Sequence, residues 1–220
     1  MKCYMCVNIS TSDEHTPPKS FFPKANRLNL IKVPSCSIHN EETSLDDEYV
    51  RNLIVLTKGN NKIAQKHFND KVLPSIKRRN SMMKLMTKNS ISMNYIKGDE
   101  NSKSLAHEID RNRFDKVMRK IAYGVYYFSF GETWYRKLNV STNMLYTDSM
   151  RNDPIAEEIQ NQKNKKKIEI SYKGSNPEVF KYSFLNLKTN SNKILVLMFY
   201  DWFEVWIIPQ IDSFESSLEL

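Results

Sequence analysis

The sequence predicts an α+β fold in three successive parts, and three observations carry that reading. Residues 1–43 have few periodic apolar positions and many loop formers, so something other than a core must order them. Beyond Ser44, apolar residues recur at three- and four-residue spacing through a helical middle. Past residue 166 the pattern changes to short β-branched and aromatic runs separated by turn formers, the pattern of an antiparallel sheet. These changes set the expected divisions at 1–57, 58–130 and 131–220, the last packing on the helices.

The elements follow in order. Ser44-Leu-Asp-Asp47 reads as a capping box, and Tyr49, Val50, Leu53, Ile54 and Leu56 give a short amphipathic helix. Lys58-Gly59-Asn60-Asn61 breaks it. A second helix is expected from Lys62 to Val72, stopping before Pro74, and a strongly basic one over 75–88, SIKRRNSMMKLMTK. Its Met82, Met83 and Met86 suit a core or a partner contact. Residues 98–104 read as a loop. The clearest helix is expected from Leu105 to Phe130, with Phe114, Val117, Met118, Ile121, Val125 and Phe128 on one face and Arg111, Arg113, Lys116, Arg119 and Lys120 around the rest. Residues 131–163 are mixed and polar. KIEISY, VFKYSF, KILVLMFY and FEVWII then predict a meander of three or four strands, with Trp202 and Trp206 in its core.

Composition narrows function. Thirty-three Lys and Arg against 25 Asp and Glu give a net charge of +8, which favours encounter with phosphate polymers. No apolar run reaches membrane-spanning length, and the first residues lack a signal-peptide pattern, so a cytoplasmic protein with no membrane association is expected. There, three cysteines stay reduced and read as metal ligands before disulfides. The chain has no internal repeat, Gly-rich phosphate loop or nucleotide fingerprint.

The chemistry concentrates in the first forty residues. Cys3-Tyr-Met-Cys6 and Cys36-Ser-Ile-His39 are two pairs, each with a two-residue gap. That gap turns both side chains of a knuckle toward one ion, and two knuckles complete the tetrahedral shell of a structural Zn²⁺. A segment this short and polar needs such a clip to fold. The same four residues also allow three buried free thiols beside an unrelated histidine.

Between the knuckles lie Asp13-Glu14-His15-Thr16-Pro17-Pro18 and Asn29-Leu30, and Asn40 follows the second knuckle. In this order the motifs resemble the HNH endonucleases, whose fold is the ββα-metal module with flanking zinc knuckles. The resemblance covers about residues 1–45. It implies a metal-dependent phosphodiester hydrolase with His15 as general base, Glu14 and Asn40 as ligands of a catalytic Mg²⁺ or Mn²⁺, and Asn29 bracing the His15 ring. Asp13 competes with Glu14 for the ligand role. Pro17 and Pro18 would stiffen the loop after His15. The implied substrate is double-stranded DNA, with Lys19, Lys77, Arg78 and Arg79 as candidate phosphate contacts, and the implied setting is microbial defence. The alternative is a zinc-knuckle nucleic-acid-binding protein with a degenerate centre, or an effector silent until a protein partner or a second copy activates it. His67 and His107 fall on predicted helices away from any partner and read as core or surface residues.

Overall fold

One long helix and one antiparallel sheet supply most of the apolar surface, and the N-terminal segment is laid across the helix. The computed structural model describes residues 1–41, 44–97, 100–142, 170–186 and 193–210. Strands β1 (Ser12–His15) and β2 (Lys32–Ser35) pair antiparallel, with Ser12 opposite Ser35 and His15 opposite Lys32. Helices α1 (Ser37–Glu41) and α2 (Ser44–Leu56) follow.

Asn61 caps α3 (Lys62–His67), its side chain accepting from the Ile63 and Ala64 N–H groups. The helix does not stop before Pro74 as expected. It runs through a π-helical turn (Phe68–Val72) into α4 (Leu73–Arg78), where Pro74 sits in the first turn and its missing N–H costs little. Arg79, extended at φ −126° and ψ 93°, separates α4 from α5 (Asn80–Met86), so the expected basic helix over 75–88 is two short ones. Met82 and Met86 are core residues, while Met83 is exposed.

Of residues 98–104, read as a loop, 100–104 lie instead in a strand, β4 (Glu100–Ala106), paired antiparallel with β3 (Ile91–Lys97), and 98–99 lie outside the described residues. Helix α6 therefore starts later than expected and spans Arg111–Phe130. The Asp110 side chain accepts from the Arg113 N–H at its start, and Gly131, at φ 75°, closes it in the left-handed conformation that glycine adopts without strain. His107 lies between β4 and α6 and not on a helix.

The sheet has five strands, in the order β5-β9-β8-β7-β6, all antiparallel. They are β5 (Leu138–Ser141), β6 (Lys173–Asn176), β7 (Phe180–Asn186), β8 (Lys193–Phe199) and β9 (Phe203–Pro209). The predicted meander is its centre. Strand β6 comes from KGSN, read as a turn, and β5 from the stretch read as mixed and polar. Residues 143–169 lie outside the described residues, including the first half of KIEISY and the remainder of that polar stretch.

Strand alternation explains both faces of the sheet. Leu195, Leu197, Phe199, Phe203, Val205 and Ile207 point into the main core with α2 and α6, while Ile194, Val196, Trp206 and Ile208 form a second cluster under Ile170 and Tyr172. Phe114, Val117, Met118, Ile121 and Val125 of α6 are buried in the main core as expected. Phe128 is exposed: the last turn of α6 packs through Tyr126 and Phe130 against Phe184 instead. Among the described residues no helix is long and apolar enough to cross a membrane.

The N-terminal segment meets α6 at Gly124. A Cβ there would lie 2.6 Å from Thr16 Oγ1 and 2.8 Å from Thr16 Cβ, and Thr16 Oγ1 donates to the Ile121 carbonyl at 3.1 Å. Gly124→Ala should therefore destabilise the protein by about 1–3 kcal/mol in a denaturant titration, through overpacking against Thr16. A change near zero would mean that Thr16 is not held against the helix.

Candidate metal centre and the loop beside it

The first knuckle is a turn closed by the Lys2–Ile9 bridge, with the Cys3 N–H donating to the Asn8 carbonyl at 2.9 Å. The second is the opening turn of α1, where the Cys36 carbonyl accepts from the His39 and Asn40 N–H groups, both at 3.1 Å. Strand β2 carries Cys36 to the first knuckle: the Tyr4 N–H donates to the Pro34 carbonyl at 2.9 Å.

The result is one group of four donors, all within 4.8 Å of one another: Cys3, Cys6, Cys36 and His39. His39 Nδ1 lies 3.4 Å from Cys3 Sγ, 3.6 Å from Cys6 Sγ and 3.4 Å from Cys36 Sγ, and the Cys6 and Cys36 sulfurs are 3.9 Å apart. Tetrahedral zinc, with Zn–S of about 2.3 Å, gives donor–donor edges of roughly 3.5–3.8 Å. The group could thus hold a metal ion such as zinc, with Nδ1 as the histidine donor. The His39 N–H directed at the Cys36 sulfur lowers that thiol's pKa and so favours the thiolate a metal needs, whereas desolvation raises that of Cys6. A small cluster of Cys3, Tyr4, Val33 and Cys36 surrounds the donors, with Tyr123 and Tyr127 of α6 packed against it.

Glu14 and His15 then part company, as alternating strand residues must. Glu14 is 7% exposed and points inward. Its Oε2 accepts from the Tyr4 hydroxyl at 3.1 Å and the Ser35 hydroxyl at 3.3 Å, and its Oε1 forms an ion pair with Lys120 of α6. Lys120, itself 5% exposed, also reaches Asp47 Oδ2 of α2 at 3.4 Å. The same carboxylate drives the Tyr4 hydroxyl's pKa well up, after burial itself. His15 faces the other way, half-buried. Burial, then the Lys32 and Lys19 charges, lower its pKa below the usual histidine value, against weaker opposing effects of Asp13 and Glu14. Thr16, the next residue, is buried and bonded to α6. His15 is held between two anchored neighbours.

The remaining expected site residues do not gather around it. The Asn40 amide donates to Ser12 Oγ at 2.8 Å, three residues up the strand from His15. Asn29 is an exposed turn residue at φ 51°, and no hydrogen bond joins its side chain to His15 among the described residues. Glu14 thus faces an ammonium and Asn40 a hydroxyl, and nothing in this arrangement supports the Mg²⁺ ligand set expected from the sequence. Asp13, exposed, is the carboxylate on the same face of β1 as His15. Lys19 is exposed and close enough to act on His15. Lys77 and Arg78 are exposed on α4, Arg78 donating to the Pro74 carbonyl, while Arg79 pairs with Glu48 Oε2 at 2.7 Å. Sequence reasoning missed Tyr4, Ser35, Asp47 and Lys120, which share no local motif with Glu14. It also missed a partner for His67, which bonds to Tyr200. No family model, curated protein or solved structure matches this chain.

Two outcomes follow. The purified chain should carry one zinc, lost in Cys36→Ser, and a strong chelator should lower its melting temperature; metal analysis showing no bound ion would leave three free thiols. Lys120→Met should destabilise by about 3–5 kcal/mol because it takes the ammonium from the buried Glu14 and Asp47 carboxylates, and Glu14→Gln added to it should recover the part of that loss due to Glu14. A denaturant double-mutant cycle measures both.

Proposed function

We propose that the chain is an HNH-type nuclease whose N-terminal module hydrolyses phosphodiester bonds, in DNA, with His15 as the general base. The observation that carries the reading is the posture of His15: fixed between buried Glu14 and Thr16, half-exposed, with burial and the neighbouring lysines lowering its pKa, which favours the unprotonated form that a base needs. The order of elements also supports it, a hairpin of β1 and β2 followed by α1 and α2, with the knuckles at either end.

In this reading Zn²⁺ held by Cys3, Cys6, Cys36 and His39 braces the two knuckles and takes no part in the reaction. Lys19 and Lys32 beside His15 draw a phosphate toward the ring. The neutral imidazole accepts a proton from the attacking water as its oxygen bonds to phosphorus; the P–O ester bond breaks and the departing sugar oxygen takes a proton from solvent. Glu14 acts as a positioning residue through Lys120, and Asp13 is the carboxylate open to solvent beside the base. No step is assigned to a second cation at Glu14. The inward turn of Glu14 favours one other reading, a nucleic-acid-binding module that has lost cleavage.

Supercoiled plasmid incubated with the protein and Mg²⁺ or Mn²⁺, beside a chelator control, tests this. Cleavage should disappear in His15→Ala and fall in Asp13→Asn. Its rate should rise with pH through a midpoint below 6.5, because the base is already deprotonated where a free histidine is not. Plasmid binding without cleavage supports the binding module, and cleavage that survives His15→Ala would falsify the assignment of the base.

A further inference from the structure

A second concentration of charge lies where α2 packs on α3, the π-helical turn and the segment after Phe22. Arg51 of α2 is 3% exposed. Its guanidinium donates to Asn52 Oδ1 through Nε at 3.1 Å and Nη2 at 2.6 Å. Its acidic neighbour, Glu48, is 3.6 Å away, and that carboxylate already serves Ser75 at 2.6 Å and Arg79 at 2.7 Å. Lys71 of the π-helical turn and Arg27, which donates to the Phe22 carbonyl, stand close enough for their charges and that of Arg51 to bear on His67. Lys24 adds to the charge felt by Lys71. Glu48 is ion-paired with Arg51 and acts on Lys71, but it is shared with Arg79, so these cations still outnumber the carboxylate set against them and a further anion would be favourable.

The polar groups at the bottom of this cluster are unfinished. His67 is 2% exposed, and its Nδ1 is 2.7 Å from the Tyr200 hydroxyl, which donates to the Phe21 carbonyl at 2.7 Å. A carbonyl only accepts, so Tyr200 spends its proton there and His67 Nδ1–H donates to Tyr200. That leaves His67 Nε2 buried with no hydrogen-bond partner, and Asn52 Nδ2 is in the same condition. Tyr200 holds its place in left-handed backbone, φ 51°, a posture unusual for a bulky residue that its two side-chain bonds and full burial maintain.

We propose that Arg51, Lys71, Arg27 and His67 form a binding site for a phosphate-type oxyanion. Arg51, whose Nε and Nη2 are engaged by Asn52, offers Nη1 to one of its oxygens, Lys71 and Arg27 supply charge from half-buried positions, and Asn52 Nδ2 is a spare donor. Burial and the neighbouring cations now hold His67 down to about 3 and Lys71 down to about 8. An anion reverses both: His67 takes a proton from solvent at Nε2 and donates it to the ligand. The site stands apart from the metal centre and needs no cleavage reaction. A nucleic-acid backbone and a free phosphate compound offer the same chemistry.

Calorimetric titration of the whole chain with inorganic phosphate, against chloride at matched ionic strength, tests the site. Saturable binding is expected, weakened about tenfold or more in Lys71→Gln and in Arg27→Gln, since each removes one charge-assisted contact. Both side chains sit at the rim, so circular dichroism should be unchanged, and Lys62→Gln, exposed on α3, should bind as the wild type does. Phosphate that displaces a short DNA duplex from the wild type marks the occupant as a backbone phosphate; phosphate binding without competition marks a free compound. Binding that is absent, or equal in wild type and both rim variants, overturns the proposal. Because no cleavage is scored, failure of the plasmid assay leaves this result standing.

Discussion

The Lys120 ammonium, almost wholly withdrawn from water, holds a carboxylate from β1 and another from α2 at the same point on α6. A charge in that position is tolerated only while its partners stay close, so the three elements are bound to one geometry. One residue along the helix, the Ile121 carbonyl takes the Thr16 hydroxyl, and Gly124 gives that side chain room. Glu14 and Thr16 are thereby fixed to adjacent residues of one helix. The residue between them inherits its orientation, which is why His15 faces outward with so few contacts of its own.

Positive charge is used in two ways. On α6 it is neutralised locally: Arg111 and Arg119 share Asp115, and Arg113 and Lys116 share Asp46. That basic face therefore serves internal cohesion. Elsewhere it is left in excess, around His15 through Lys19 and Lys32, and around His67 through Arg51, Lys71 and Arg27.

Legibility in the sequence followed the range of the interaction. The knuckles could be read because a two-residue gap dictates where two donors point, and the closing of both onto one group is visible in Cys3, Cys6, Cys36 and His39. The core face of α6 could be read from its period. The inward role of Glu14 could not, because Lys120 lies far along the chain and nothing near Glu14 announces it. The β3–β4 hairpin was hidden by polar residues, and β6 by a Gly-Ser-Asn composition that reads as a turn. Pro74 suggested a helix end, but a proline is tolerated where a π-helical turn restarts the ladder.

The Tyr200–Phe21 hydrogen bond closes a separation of 179 residues. During synthesis the segment carrying His15 emerges first, yet one of its seats on the body of the protein does not exist until residue 200 has left the ribosome. At about 5–20 residues per second that interval lasts on the order of ten seconds or more. Through the later part of it the N-terminal module is held by its knuckles, its own hairpin and the Glu14 and Thr16 contacts with α6, and lacks only the Tyr200 seat. A nascent chain that stops short of residue 200 therefore lacks the bonds that join Tyr200 to Phe21 and His67, while His15 already has its place beside α6.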